Sequence, residues 1–351
     1  MDQYDNPCGL NGFAFLEFSA PDASMLHAQF KKMGFIHKAT HVSAPIDLYQ
    51  QGNIVFIINA TPDSRAAEHA RIHGAGACAM GFRVKDPEAA FQYALKHGAT
   101  AFVDECKPCH QLLAIEAIGQ SVIYFVEGDE LPFGKEWTYH NHTATAEVKL
   151  LNIDHLTHNV FRGNMDKWAD FYHNIFNFRE IRYFDIKGQL TGLRSRALSS
   201  PCNLIKIPLN ESKDAHSQIE EFLHEYHGEG IHHIALSTPD IYHSVHTLRQ
   251  QDVPFLTVPD TYYEMVGDRV PWHQEPLQSL QQERILIDGD REPKGGLLLQ
   301  IFTENVFGPV FFEIIQRQGN QGFGEGNFQA LFEAIERDQI RRGTLSAENP
   351  S

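Results

Sequence analysis

What most restricts the fold of this chain is that it repeats itself. The segment GFAFLEFSAPDASMLHAQFKKMGF reads as an alternating apolar strand, an amphipathic helix capped by Asp22, and Gly34 as a stop. NIDHLTHNVFRGNMDKWADFYHNIFNF gives the same order, with Asn164 at the cap position and Trp168, Phe171 and Phe176 among its apolar positions. A second pair follows: HGAGACAMGFRVKDPEAAFQYALKHGA and HGEGIHHIALSTPDIYHSVHTLRQQDV both open with HG-x-G, run into a strand and place an Asp before the helix. Four modules result, two in each half, each made of a strand, a helix and returning strands. That order makes an α+β architecture with curled mixed sheets rather than a parallel βαβ sheet, and no GxGxxG follows a strand to favour a nucleotide-binding fold. The polar, aperiodic stretch from Gly128 to Lys149 separates the halves. The expected layout is an N-terminal domain over 10–130, a linker over 131–150 and a C-terminal domain over 151–345.

Charge narrows the partners. Lys+Arg 29 against Asp+Glu 45, a net charge of -16, leaves no basic face to neutralise nucleic acid or an anionic membrane. MDQYDNPCGLNG lacks the basic start and apolar run of a secretion signal, and no stretch approaches the roughly 20 apolar residues of a membrane span, so a soluble, cytoplasmic protein is expected. Five scattered cysteines suggest free thiols; the lone CxxC, Cys106-Lys-Pro-Cys109, has no second pair to complete a zinc site and reads as a loop.

The repeat also locates chemistry. Laying one half on the other sets Phe15 against His155, Ala79 against His233, and the stretch around Phe125-Val126 against Phe312-Glu313. One copy carries ligand types where the other is apolar, so one binds metal and the other, the N-terminal domain, is a metal-free scaffold. Glu313 lies in VFFEIIQ, an apolar run in which a carboxylate is costly to bury unless it is paired or coordinates a cation. Two imidazoles and one carboxylate on one face of an ion leave adjacent positions open, the arrangement of non-haem Fe(II) oxygenases. An isolated strand histidine is ordinarily a hydrogen-bonded core or rim residue. Strand alternation sets His158 and His232 on the face opposite to that of His155 and His233, without saying which member of each pair faces the metal.

LLNIDHLTHNV, GEGIHHIALSTPDI, PLNE at Pro208–Glu211 and the long block LLLQIFTENVFGPVFFEIIQRQGNQGFGEGNFQALFEAIERDQIRRG together resemble the 4-hydroxyphenylpyruvate dioxygenases of the vicinal oxygen chelate superfamily. The resemblance spans both halves and is densest from about residue 150 to 345. It implies two tandem glyoxalase-like domains built from four βαβββ modules with a C-terminal lid helix. It implies one Fe(II) per chain on His155, His233 and Glu313. The implied reaction converts 4-hydroxyphenylpyruvate and O₂ to homogentisate and CO₂, as in tyrosine and phenylalanine catabolism, with no nicotinamide or 2-oxoglutarate, in a homo-oligomer (dimer or tetramer). The implied substrate pocket is Ser195, Asn210, Gln218, Gln300, Phe302, Phe311, Asn327, Phe328 and Phe332, with Gln300 and Phe328 also acting in catalysis. Where relatives commonly carry Gln before the second ligand, this chain has His232. Asn327 is expected to cap a helix running to about Arg341 that covers the mouth of the site, the glycines of NQGFGEG letting it move. The alternatives are a 4-hydroxymandelate synthase of the same family, or a metal-free ligand-binding protein on this fold.

Overall fold

The computed structural model describes residues 4–103, 112–128, 136–144, 146–187, 192–214, 217–289 and 292–331. Each half is a sheet formed by two modules that meet through their first strands. The first module is β1 (Phe13–Ser19), α1 (Ser24–Lys32), β2 (Ile36–His41), β3 (Ile46–Gln51) and β4 (Ile54–Asn59). After α2 (Arg65–His73), the second is β5 (Gly76–Val84), α3 (Pro87–Lys96), β6 (Ala101–Phe102), β7 (Ala114–Glu116) and β8 (Val122–Glu127). The C-terminal half repeats this as β10 (Asn152–Val160), α4 (Met165–Phe176), β11 (Arg179–Lys187), β12 (Gly192–Ser199) and β13 (Lys206–Ser212), then α5 (Gln218–Glu225), β14 (Gly230–Ser237), α6 (Ile241–Gln250), a helical excursion of α7 (Asp260–Glu264), α8 (Val266–Arg269) and α9 (Leu277–Glu283), and β15 (Leu286–Gly289), β16 (Leu297–Phe302) and β17 (Phe311–Gln318). The strand order is β6-β7-β8-β5-β1-β4-β3-β2-β9 in one sheet and β11-β12-β13-β10-β14-β17-β16-β15 in the other, β9 being Trp137–Tyr139. In both, the two first strands pair antiparallel and each is flanked by the parallel last strand of its own module.

The helix starts obey local chemistry where the sequence marks them. Asp86 and Asp240 accept hydrogen bonds from the backbone N–H groups of Ala89 and His243, capping α3 and α6. Asp22 sits just outside α1 and takes the Ser24 N–H at 2.9 Å. Asn164 departs from expectation: it stands at the start of α4 but its side chain makes no capping bond. Remote carboxylates cap instead. Glu211 accepts from the N–H of Gly163 and Met165, while Glu229 accepts from the Phe161 N–H, the Asn164 amide and the Trp168 indole. Anions are favoured at a helix start, and a glutamate arriving from another strand leaves no local pattern to read.

The stretch expected as a linker contains β9, which pairs with β2 through Ala39 and Tyr139 and so covers an otherwise open sheet edge. The halves share one apolar core; Phe56 of β4 stacks on Phe312 of β17 with centroids 6.0 Å apart, and Phe18 meets Phe307 at 5.7 Å. Tyr226 keys between them. A Cβ on Gly230 would lie 2.3 Å from its ring, so only glycine lets the ring pass. Its hydroxyl bonds to His69 Nε2 at 3.1 Å, and its carbonyl accepts from His73 Nδ1–H at 2.8 Å.

Inside the N-terminal sheet the cup is filled by Phe15, Ile46, Leu48, Ile57, Ala79 and Tyr124. The pairing registers confirm Phe15 and Ala79 as the counterparts of His155 and His233, but Tyr124, not Val126, stands where Glu313 does. VIYFV is buried on both faces, and a strand without alternation carries no register signal. Among the described residues no helix is long and apolar enough to cross a membrane, and Cys8, Cys78 and Cys202 are free thiols. Cys106 and Cys109 lie outside the described residues.

Candidate metal centre

Three neighbouring strands of the C-terminal sheet bring the ligand types together. β14 pairs with β10 on one side and with β17 on the other, so His155, His233 and Glu313 converge from positions remote in sequence. Their ligand atoms all lie within 4.8 Å of one another, and all three residues are buried. Glu313 Oε2 is 3.2 Å from His155 Nε2 and 3.6 Å from His233 Nε2. A buried carboxylate aimed at two imidazole nitrogens is the geometry of a cation site, and the donor set fits a divalent transition metal.

His158 faces away, as alternation requires, and shares a hydrogen bond of 2.8 Å with the Tyr172 hydroxyl. His232 does not. Thr157 pairs with His233 and His158 with Ile231, so two residues of β14 span one step of β10. This bulge lets both neighbouring rings pack on Phe311, His232 at 4.7 Å and His233 at 4.9 Å. Alternation fails there because an extra residue interrupts the ladder.

Each ligand has a supporting group. Asp154 accepts from His155 Nδ1–H at 2.9 Å, which leaves Nε2 to face the ion. His232 Nδ1 lies 3.2 Å from His233 Nδ1, and Gln300 Nε2 donates to Glu313 Oε1 at 3.2 Å. Burial works against protonation of His155, but the Glu313 and Asp154 carboxylates outweigh it and raise its pKa above the usual imidazole value. Burial, then His232 and His155, drives His233 well below that value, and burial takes His232 down to about 3. Burial would raise Asp154, yet hydrogen bonds from Arg317 and His155 hold it well below the carboxylate range.

Asp154 and Arg317 were not singled out from sequence. The guanidinium grips Asp154 through Nε at 2.7 Å and Nη2 at 2.8 Å, while Nη1 donates to the carbonyls of Asn320 and Gly322. It also lies over Phe323, whose ring is 5.2 Å from that of His155. One signal was available: Arg317 is four residues after Glu313 on one strand and therefore on the same face.

The expected pocket residues divide. Phe311 stacks on His233, and Phe302 stands 6.4 Å from it. Ser195 pairs with Asn210, and Asn210 with Asn159, across β12, β13 and β10. Gln300 is buried and bonded to Asn327 Nδ2 at 3.1 Å; Asn327 Oδ1 in turn meets the Tyr262 hydroxyl at 2.6 Å and Arg269 Nη2 at 3.1 Å. Asn327 is thus an inward-facing network residue and not a cap: the described helix spans 325–331, starting two residues earlier. Phe328 is half-buried on that helix. Gln218 is exposed in the first turn of α5. Phe332 and the rest of the expected lid to Arg341 lie outside the described residues.

A curled sheet of paired βαβββ modules with a two-histidine, one-carboxylate cup defines a metal-binding member of the glyoxalase class, and residues 152–267 match the model of the Glyoxalase/Bleomycin resistance protein/Dioxygenase superfamily. Residues 4–131 match the model described as hydroxyphenylpyruvate dioxygenase, HPPD, N-terminal. A 4-hydroxyphenylpyruvate dioxygenase of Legionella pneumophila (strain Corby) is 66% identical over 98% of this chain and 99% of its own length. The chain belongs to the hydroxyphenylpyruvate dioxygenase family. Among solved structures, a xylose isomerase-like TIM barrel/4-hydroxyphenylpyruvate dioxygenase fusion protein aligns with TM-score 0.79 and 31% identity, covering 95% of this chain and 54% of that one. A triple mutant of 4-hydroxymandelate synthase from Streptomyces coelicolor aligns with TM-score 0.79 and 25% identity, over 94% of this chain and 99% of that one.

Proposed function

We propose that this chain is a mononuclear non-haem Fe(II) dioxygenase that converts 4-hydroxyphenylpyruvate and O₂ to homogentisate and CO₂. The observation that carries the reading is the buried triad at the head of a cup walled by Phe302 and Phe311. Iron(II) held by three ligands on one face would keep adjacent positions for the 2-oxo acid and for O₂, and with the electrons of decarboxylation it would supply the redox chemistry.

The protein's part is to aim and to exclude. Asp154 fixes the His155 tautomer, and Gln300 holds one oxygen of Glu313 so that the other faces both imidazoles. Phe311, stacked on His233, leaves a flat slot for an aromatic ring, and the Ser195 and Asn210 side chains offer hydrogen bonds to a phenol. Phe323 and helix 325–331 close over the triad and keep water out. Pocket shape then decides which substrate carbon is oxidised, and Phe328 is the aromatic wall that favours the ring over the benzylic carbon.

The test is iron content together with substrate-dependent O₂ uptake and chromatography of the product. One iron per chain, one O₂ per substrate and homogentisate are expected. Chiefly 4-hydroxymandelate would replace this reading with the synthase, and tight substrate binding with no metal and no O₂ uptake would replace it with a binding protein.

A further inference from the structure

A second cluster of ligand types lies in the other half of the chain, where β9 pairs with β2. His37 (β2), His140 and His142 (just after β9) and Asp47 (β3) meet there, with His27 of α1 beside them. The centroids of His37, His140 and His142 form a triangle of sides 4.6, 5.0 and 5.6 Å. Three imidazoles bound to one tetrahedral ion at about 2.0–2.1 Å have their ring centres about 5 Å apart. The rings of His155 and His233 are 5.8 Å apart, a comparable ring spacing, although among the described residues only the ligand atoms of His155, His233 and Glu313 already lie within 4.8 Å of one another.

Three of the four groups meet at the Thr40 hydroxyl. Asp47 Oδ1 is 2.7 Å from His37 Nε2, and the Thr40 hydroxyl lies 2.6 Å from Asp47 Oδ1, 2.9 Å from His140 Nε2 and 3.3 Å from His37 Nε2. These hydrogen bonds spread the donor atoms, and the broad ring torsion of histidine lets them turn inward without backbone movement. Ile46 and Leu48 fill the apolar cup, so Asp47 between them points to the opposite side of the sheet. The expectation of a metal-free N-terminal half rested on Phe15 and Ala79 in that cup, and a site that includes His37 and Asp47 would overturn it.

We propose that His37, His140, His142 and Asp47 form a second divalent-metal site, of the zinc-preferring imidazole and carboxylate type, which clips the segment after β9 to the N-terminal sheet. Its ligands come from two strands and from the chain leading to the C-terminal domain, so the ion would tie that connection down. Zinc suits the donor set because it accepts three imidazoles and one carboxylate tetrahedrally without redox chemistry. A hydrogen-bonded network without metal is the competing account.

The probe is Zn²⁺ alone, titrated calorimetrically into the untagged, metal-stripped full chain. Two equivalents are expected. The double variant His37→Gln/His140→Gln should lose one and keep the other, while His155→Ala/Glu313→Ala should show the reverse. The single variants Asp47→Asn and His142→Gln should weaken the second equivalent at least tenfold with the metal-free melting temperature unchanged, which covers the case of a double variant that does not fold. Iron-dependent O₂ uptake should be unchanged in these singles. A wild-type chain that takes up one equivalent, or a second equivalent that survives all these substitutions at full affinity, overturns the proposal. Since the second equivalent is read in the triad variants too, the result stands apart from the dioxygenase reading.

Discussion

Glu313 illustrates how much one residue can disclose. Its carboxylate sits in a strand whose neighbours are apolar, 2% exposed, and in contact with two imidazoles; unpaired, such a charge would cost several kcal/mol. Replacing His155, His233 or Glu313 with Ala should therefore abolish both metal retention and O₂ uptake, measured by metal analysis after gel filtration. His158→Ala should keep full metal, because that ring faces Tyr172. His232→Ala and Asp154→Asn should retain metal at saturation but bind it roughly 10- to 100-fold more weakly, the usual effect of removing a group that orients a ligand. Metal loss complete in His232→Ala and absent in His233→Ala would reverse the assignment. Phe328 bears on the product and not on the metal: Phe328→Ile should release a measurable fraction of 4-hydroxymandelate in single-turnover reactions. A variant that melts earlier but still makes only homogentisate would reduce Phe328 to helix packing.

At the scale of elements, the turn before helix 325–331 couples cover to ligand. Gly324 has φ +77°, and a Cβ there would fall 1.7 Å from Gln300 Oε1. Gly324→Ala should therefore displace Gln300 from Glu313, lowering metal affinity about tenfold, beyond the cost of about 1–3 kcal/mol for the backbone strain alone. Calorimetric metal binding beside urea melts separates the two; strain without weaker binding would disprove the coupling. The same elements show what sequence makes legible. The capping aspartates Asp86 and Asp240 and the four-module order could be read because each leaves a local mark or recurs in the second copy, and Glu313 stood out as a carboxylate in an apolar run; His155 and His233 were picked out from their neighbours His158 and His232 by the family resemblance. Asn164 was placed at the start of its helix, but the remote glutamates that do the capping were not; His232 and Asn327 were misplaced, since one depends on an extra residue in a strand and the other on a helix that already begins at residue 325. Gln218 was named from the family resemblance alone, and nothing in its local pattern showed that α5 would leave it exposed.

At the scale of the whole molecule, the halves are held together partly by groups that must stay neutral. His69 and His73 pack on Tyr226 across the junction, with ring centroids 4.6 Å apart and His69 also facing Arg65 and Ser19. Burial, reinforced by His73 and Arg65, holds His69 well below the ordinary imidazole pKa. In the unfolded chain it would titrate near 6.5, so below that pH the unfolded state binds a proton that the folded state refuses. Stability is then complete above about pH 6.5 and falls as the pH drops, by up to about 1.4 kcal/mol per pH unit for this one group. His69→Gln keeps a partner for the Tyr226 hydroxyl but cannot titrate. Urea unfolding of the metal-free chain at pH 7.0, 6.0 and 5.0 should show wild type losing stability more steeply than His69→Gln, by close to one proton. Other buried histidines, including His158, contribute equally to both curves and cancel in the comparison. Parallel curves would mean that the junction opens before His69 is forced to choose, and that the halves are held by the Phe56–Phe312 and Phe18–Phe307 contacts and the rest of the shared apolar core.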